Sequence, residues 1–515
     1  MLVPNSPKDL RLPYEDWRVN QKEVVQEILD TKEKVIFLSA PTGTGKSGIA
    51  VSLAKLSGKQ AAIVTMTKQL QQQYLSEFRA LDMVRLIGRE NYRCLINKKF
   101  NVAEAPCIAG WNCPKIWHCD YFATKKKAAE FLTPIVTNYS YFLGETQSGN
   151  MMRNLDILIL DEGHMAESAL MAHVNVTLDE QELRRVGIQL PRLGTIDKYR
   201  EWGVKTHQEI AQEIHKTAQF IAEYSKDPFA DDLLIRRYRL LRNQQKSIIG
   251  INNFVEDNWI LEHQAKRVMF RPLWVKKYGR LYLSTADKIV IQSATIVSPS
   301  KMADLMGIPP GDWTYMEVPS TFPKERRPFY YWPVVAVGMN LNTTEANKLV
   351  QSVDQIIDKH PGERGIIHTT NYMLRDLVKM RSKHANIMLT HTGQDREKVI
   401  EDFLQDKGGA KILLSPSVTS GVNASYHRCS FQIIMKVPFA DRSDEQTRKR
   451  MEEDPEWYNF NAASAVVQAY GRAMRYEDDY GETYILDKHF SWFYSRNMEM
   501  FPVWFKEAVK RIDKP

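Results

Sequence analysis

A glycine-rich octet, APTGTGKS at residues 40–47, follows directly on the apolar run VIFL at 35–38 and constrains the fold more than any other feature. The spacing is that of a P-loop, with Ala40 where a first glycine often stands. Gly43 and Gly45 let backbone N–H groups wrap a phosphate chain. Pro41, Thr42 and Thr44 complete the wrap, Lys46 is expected to reach the β- and γ-phosphates, and Ser47 to hold Mg²⁺. A helix from about residue 45 to 56 would aim its N-terminus at the same anion. Such a strand–loop–helix unit belongs to a parallel sheet. Further short apolar runs, at 61–64, 157–160, 288–291, 365–368, 411–414 and 432–437, suit buried parallel strands. The fold class expected is α/β.

The run LDILILDEGH, at 155–164, ends a buried strand in two carboxylates, at the carboxyl edge where open α/β sheets bind ligands. Asp161 is expected to hold Mg²⁺ through water and Glu162 to polarise an attacking water. Alone, the pair reads equally well as the acidic first turn of a helix. Beside a P-loop, the catalytic reading dominates.

With these motifs in place, the chain resembles the DEAH-box helicases of superfamily 2. Asp-Glu-Gly-His at 161–164 is similar to their DEAH box, and Arg18 and Gln21 to the adenine-reading Q motif. TMTKQLQQQY (65–74) resembles motif Ia, which touches the nucleic-acid backbone. QSATI (292–296) resembles motif III; His164, Ser293 and Thr295 would couple ATP state to strand grip. SVTSGVN (417–423) with KVPF (436–439) resembles motif V. QAYGRAMR (468–475) resembles motif VI, where Arg472 and Arg475 would be arginine fingers and Gln468 a further catalytic-site residue. Two departures stand out: Ser420 and Asn423 replace a usual acidic pair, and Lys488-His489 follow Asp487 where Arg is common.

Four of the five cysteines, Cys94, Cys107, Cys113 and Cys119, fall between motifs Ia and II, where the XPD/DinG branch inserts an iron–sulfur domain. TNYSYFL (137–143) is also similar to that branch, and the helical stretch after motif II to its Arch domain. The spacing C-x12-C-x5-C-x5-C lacks the C-x2–4-C knuckle of most structural zinc sites. From the residues alone, a [4Fe–4S] cluster, zinc and unliganded thiols all stay open. The resemblance implies the [4Fe–4S] cluster. Trp111, Trp117, Tyr121 and Phe122 are placed either to shield it or to pack the loop. Cys429 reads as a small buried residue.

The resemblance implies two RecA-like domains with ATP bound between them. Residues 1–89, 131–165 and 276–320 would form the first, interrupted by an iron–sulfur insertion (90–130) and a helical Arch-like insertion (166–275), with 321–515 as the second. TFPKERRPFYYWP (321–333) is the candidate hinge. It also implies an ATP-dependent DNA helicase moving 5′→3′ on single-stranded and forked DNA. Lys98-Lys99, Lys125–Lys127 and the basic helix 236–246 are candidate strand contacts. The aromatics of 490–505 read as the apolar face of a packed C-terminal helix. The rivals are an RNA helicase and a binding module that uses ATP only as a switch; Glu162, Arg472 and Arg475 speak against the switch.

Composition agrees. Hydrophobic residues at 43% and charged residues at 26% are ordinary for a globular protein, and a net charge of +8 is compatible with a phosphate-rich partner. No run of about 18 apolar residues suggests a membrane span, and no apolar leader marks the start. A cytoplasmic monomer is expected, with no protein partner indicated.

Overall fold

The computed structural model describes residues 2–515 except 59, 131–132, 149–151, 224–231, 339, 406–407, 417–428 and 472–479. Ten strands precede the candidate hinge: β1 Val35–Ser39, β2 Ala61–Thr65, β3 Val84–Arg85, β4 Ile135–Asn138, β5 Leu155–Asp161, β6 Val176–Asp179, β7 Ile260–Gln264, β8 Arg267–Arg271, β9 Ala286–Ser293 and β10 Trp313–Glu317. Seven follow: β11 Phe329–Val335, β12 Gly365–His368, β13 Met388–Thr390, β14 Ile412–Ser415, β15 Phe431–Ile434, β16 Glu482–Asp487 and β17 Val509–Arg511.

Two RecA-like domains are built from two parallel sheets. The first has the order β10-β1-β9-β5-β2-β4-β3 and the second β13-β14-β12-β15-β16-β11-β17. Strands β1 and β2 are buried along their whole length, as the unbroken apolar runs require when helices cover both faces. β9 pairs with β1 through Val35↔Ile289 to Ser39↔Ser293 and with β5 through Leu155↔Ala286 to Asp161↔Gln292. The P-loop, DEGH and SAT segments therefore leave three adjacent strands at one edge.

Between β5 and β9 the chain builds a separate module. Two long helices, Ile196–Glu223 and Asp232–Asn253, pack along buried stripes that include Ile210 and Ile214 on one and Tyr238, Leu241 and Ile248 on the other. Sequence periodicity finds these helices but not the antiparallel sheet β6-β8-β7 that the module also contains. Those strands are short and half exposed, so their alternation is weak.

The stretch read as a hinge is only partly a linker. Its FYYWP portion is β11 itself. Upstream, Phe322 is buried and Arg327, also buried, donates to the Tyr470 hydroxyl at 3.2 Å and to the Trp504 carbonyl. The C-terminal aromatics do not form one helix either. They divide between the helices His489–Arg496 and Val503–Lys506 before β17. Among the described residues, no helix is long and apolar enough to cross a membrane.

A clasp ties the second domain to the module between β5 and β9 and, through Lys301, to the first domain. Arg450 is 4% exposed, and its guanidinium lies 4.4 Å from the centroid of Trp274 and 4.1 Å from that of Trp457. It also pairs with Glu167, on the helix that follows the DEGH box. Around it, Arg271 bonds Asp444 at 2.6 Å, Trp274 donates to Glu453 at 2.6 Å, and Lys301 meets Asp454 at 2.5 Å. Removing one partner of a buried ion pair strands the other, at about 3–5 kcal/mol. Arg450→Ala is therefore expected to lower the thermal unfolding midpoint and raise amide exchange in the Ala166–Val174 helix. An unchanged midpoint and exchange pattern would contradict this account of the interface.

Candidate active site between the two domains

The P-loop is held open by its own backbone. Gly43 and Gly45 adopt φ of 89° and 82°, a region that costs a side-chain-bearing residue but not glycine. A Cβ on Gly43 would run into the ring of Phe322, so the linker roofs the loop directly. Lys46 Nζ donates to the Ala40 carbonyl at 2.9 Å, and Thr44 Oγ1 to the Pro41 carbonyl at 2.7 Å. Helix Lys46–Leu56 starts at the loop with its first N–H groups facing it. Arg18 donates to the Gly43 carbonyl, and Gln21 Nε2 to the Gly45 carbonyl at 3.1 Å. The two residues predicted to read adenine thus also brace the phosphate loop.

Asp161 is buried at the end of β5. Gln292 Nε2 donates to its Oδ1 at 2.9 Å and Tyr74 Oη to its Oδ2 at 3.0 Å. Burial, and then the charge of Glu162, raise its pKa; Gln292, Lys46 and Tyr74 pull the other way. Tyr74 itself is pushed well above the ordinary tyrosine range by burial and by Asp161, so it stays a donor. Its hydroxyl also lies within hydrogen-bond reach of Ser47, which brings the two predicted Mg²⁺ ligands to one phenol. Sequence reading assigned 65–74 to backbone contact and missed this role. Tyr74, at the end of that motif, carries no local signal that it turns inward.

Glu162 sits at φ 52°, a left-handed position that non-glycine residues seldom take. This turn ends the strand sharply and leaves the carboxylate partly exposed, with its side chain at 37%. His164 Nδ1 lies 2.8 Å from Ser293 Oγ, which is 3.0 Å from Thr295 Oγ1. Ser293 also receives the Ala40 N–H on its carbonyl at 2.9 Å. The three residues predicted to couple are therefore one hydrogen-bonded chain that touches the P-loop.

From the second domain, Gln468, in the last turn of the helix Pro455–Tyr470, lines with His164, Glu167, Met302 and Phe460 a cavity of about 230 Å³ between the domains. Thr42 Oγ1 donates to the Gly471 carbonyl at 3.4 Å, so the P-loop already touches motif VI across the cleft. Arg472 and Arg475, like Ser420 and Asn423, lie outside the described residues.

Comparison with known proteins gives the family. A DEAD/DEAH box helicase domain matches residues 18–181, and a helicase C-terminal domain matches 353–508. The ATP-dependent DNA helicase YoaA of Escherichia coli is 22% identical over 92% of this chain and 91% of its own length. A probable ATP-dependent helicase of Methanocaldococcus jannaschii is 21% identical over 93% of each. The structure of S. tokodaii Xpd4 shares the fold, with a TM-score of 0.60 at 15% identity over 96% of this chain and 100% of that one. The chain is an XPD/DinG-type superfamily 2 helicase.

In this XPD/DinG-type chain the cysteine-rich insertion is made of single 3-10 turns, such as Pro106–Ala109 and Ile116–His118, followed by one α-helix, Asp120–Glu130. Its own core is small: Val102, Cys119 and Tyr121, with a few half-buried neighbours. The thiols converge. Burial first, then Cys113, Cys94 and Cys119, push Cys107 up to about 11. A cation among them would relieve that mutual repulsion, so the donor set fits a thiolate-ligated metal. Among the described residues no group of three His, Cys, Asp or Glu side chains is close enough, as it stands, to hold a metal ion. Trp117 does not shield the cysteines; it is 76% exposed, whereas Tyr121 is buried. Several members of the basic runs are ion-paired. Lys125 bonds Glu145 at 3.0 Å, Lys127 meets Asp82 at 2.8 Å, and Arg239 ties the helical module to Glu104 of the insertion at 3.1 Å.

The third residue of the box is glycine here for a visible reason. A Cβ on Gly163 would strike Cγ2 of Ile291 on the adjacent strand β9. Restoring the usual alanine, Gly163→Ala, should displace β5 against β9 at a cost of about 1–3 kcal/mol, as overpacking does. Chemical denaturation and ATPase assays should show stability and turnover falling together. A variant as stable and as active as the parent would refute the tight approach.

Proposed function

We propose that this helicase hydrolyses ATP in the cleft between its RecA-like domains and uses the cycle to move 5′→3′ along single-stranded DNA, unwinding forked duplexes. The observation that carries the reading is the hydrogen-bonded chain from His164 through Ser293 to Thr295, tied at Ser293 to the P-loop. A change at the γ-phosphate has there a short physical route to the SAT segment. The name of the Escherichia coli relative supports DNA as the substrate.

In this reading Lys46 binds the β- and γ-phosphates, and Arg18 and Gln21 hold the adenine side. Ser47 and Asp161 would hold Mg²⁺, which supplies charge neutralisation when bound. Glu162 accepts the proton of the attacking water. Arg472 and Arg475 stabilise the charge that develops in transfer, from the opposite domain, with Gln468 reporting that closure to His164. The division at residues 89, 130, 165, 275 and 320 into motor, insertion and Arch-like parts belongs to the same proposal, as does action in the cytoplasm.

Cys94, Cys107, Cys113 and Cys119 would hold a [4Fe–4S] cluster, whose thiolate bonds organise an insertion that has little apolar core of its own. Trp117 and Lys126, with the Lys126 Nζ 5.9 Å from the indole centroid, face outward from it.

Two outcomes are expected. Glu162→Gln should bind ATP yet turn it over at least about a hundredfold more slowly, since general-base assistance is worth about 10²–10⁴. Parent protein should displace strands from 5′-tailed but not 3′-tailed duplexes. Normal turnover in the variant, or a 3′-tail preference, would overturn the assigned base or the polarity. For the insertion, anaerobically purified protein should contain about four iron atoms per chain. Cys113→Ser should lose iron and unwinding while keeping part of its ATPase, because the P-loop, Asp161 and Glu162 lie on other segments. One zinc and no iron would overturn the cluster.

A further inference from the structure

Three aromatic rings at the carboxyl edge of the second sheet form a parallel stack whose outer ring, Trp492, is partly exposed beside Arg496. Phe439 lies between Tyr458, at 5.3 Å and 12°, and Trp492, at 6.0 Å and 9°. The stack is built by the ends of two neighbouring strands. β15 and β16 pair directly, Phe439 comes five residues after β15, and Trp492 five after β16. Asp487, the last residue of β16, fixes the arrangement. Its carboxylate accepts the Val437 N–H at 3.0 Å and the Val337 N–H at 3.1 Å, and it caps the turn into the Trp492 helix through the His489 N–H at 3.0 Å.

Packing alone does not explain Trp492. On the same helix Phe490 and Phe493 are 1% and 0% exposed, while Trp492 remains 42% exposed. Tyr458 is half buried and donates to the Ala440 carbonyl at 3.0 Å, which holds the inner ring in place. Cations stand at both ends: Arg496 has its guanidinium 5.8 Å from the Trp492 centroid, and exposed Arg442 acts electrostatically on Tyr458. One acid, Asp441, lies near Tyr458 as well.

A flat ring held parallel to two others, half open to solvent and flanked by arginine, is suited to extend a column of stacked bases. Its position outside the carboxyl ends of parallel strands is where such sheets meet their ligands. We propose that Trp492 is a base-stacking platform for single-stranded DNA, with Arg496 pairing to a phosphate of the stacked nucleotide. The proposal deepens the helicase reading and rests on it.

Equilibrium titration with a fluorescent oligothymidylate tests it. Trp492→Ala should bind the oligonucleotide about tenfold more weakly, the scale of one lost base–aromatic stack. Trp492→Phe should recover most of the loss, and Arg496→Ala should reduce the slope of log affinity against log salt by about one. Basal ATPase without DNA and the unfolding midpoint should stay at parent values, since the ring is exposed. Parent-like binding by Trp492→Ala, while the parent itself binds, would overturn the platform and leave the helicase reading standing. A loss that Trp492→Phe does not rescue, accompanied by a lower midpoint, would make the ring a packing element and also overturn it. Failure of the parent to bind any single strand would instead bring down the reading on which the platform rests.

Discussion

Parallel pairing of β1, β9 and β5 is the constraint on which the rest of the site depends. The three strands end level: Ser39 opposite Ser293, and Gln292 opposite Asp161. Because a parallel sheet puts every carboxyl end on one edge, residues some 120 to 250 positions apart in the chain arrive within hydrogen-bond reach. The P-loop leaves β1, the SAT segment leaves β9 and the DEGH box leaves β5. Gly163 and Ile291 show how close the approach is, for one Cβ is already too many.

That closeness has an electrostatic consequence. Asp161 is a carboxylate taken out of water beside a second carboxylate, and both effects disfavour its charge. Gln292 and Tyr74 each place a donor on one of its oxygens, and Lys46 supplies positive charge, which offsets part of the cost. Donors fixed in this way keep the oxygens aimed into the cleft. A buried acid that is supported but not neutralised is matched to a divalent cation, since the ion removes the remaining penalty on binding. In the cysteine insertion, burial and the three neighbouring thiols raise the cost of ionising Cys107 in the same way.

Much of this was legible in the sequence, for a definite reason. Phosphate wrapping needs glycines at set spacings, and a strand that ends in two acids needs them adjacent, so those constraints are local. Arg18, Gln21, His164, Ser293 and Thr295 followed from motif order. What stayed hidden is contact between distant segments whose partners have no fixed spacing. Tyr74 finds Asp161 across 87 residues, and Arg450 finds Glu167 across 283. Trp117 reads either as a shield or as loop packing, and its exposure fits neither. The lysines at 125 and 127 read as candidate strand contacts, and the sequence does not reveal that Glu145 and Asp82 stand opposite them. The β6-β8-β7 sheet stays hidden because short, half-exposed strands inside a helical stretch have too little alternation to register.

The Arg450 clasp completes the site from the other side. Glu167 stands on the helix that begins two residues after His164, and Trp457 stands on the helix that ends beyond Gln468. Binding Arg450 to both therefore fixes the separation of the helix that follows His164 from the helix that carries Gln468, and both border the cavity between the domains. Buried between two indoles, the guanidinium gives up water on both faces. It is held by its ring contacts and a single carboxylate, an arrangement that tolerates little sliding. The Thr42–Gly471 contact joins the P-loop to motif VI across the same cleft, so both contacts bear on how the two sides of the site meet.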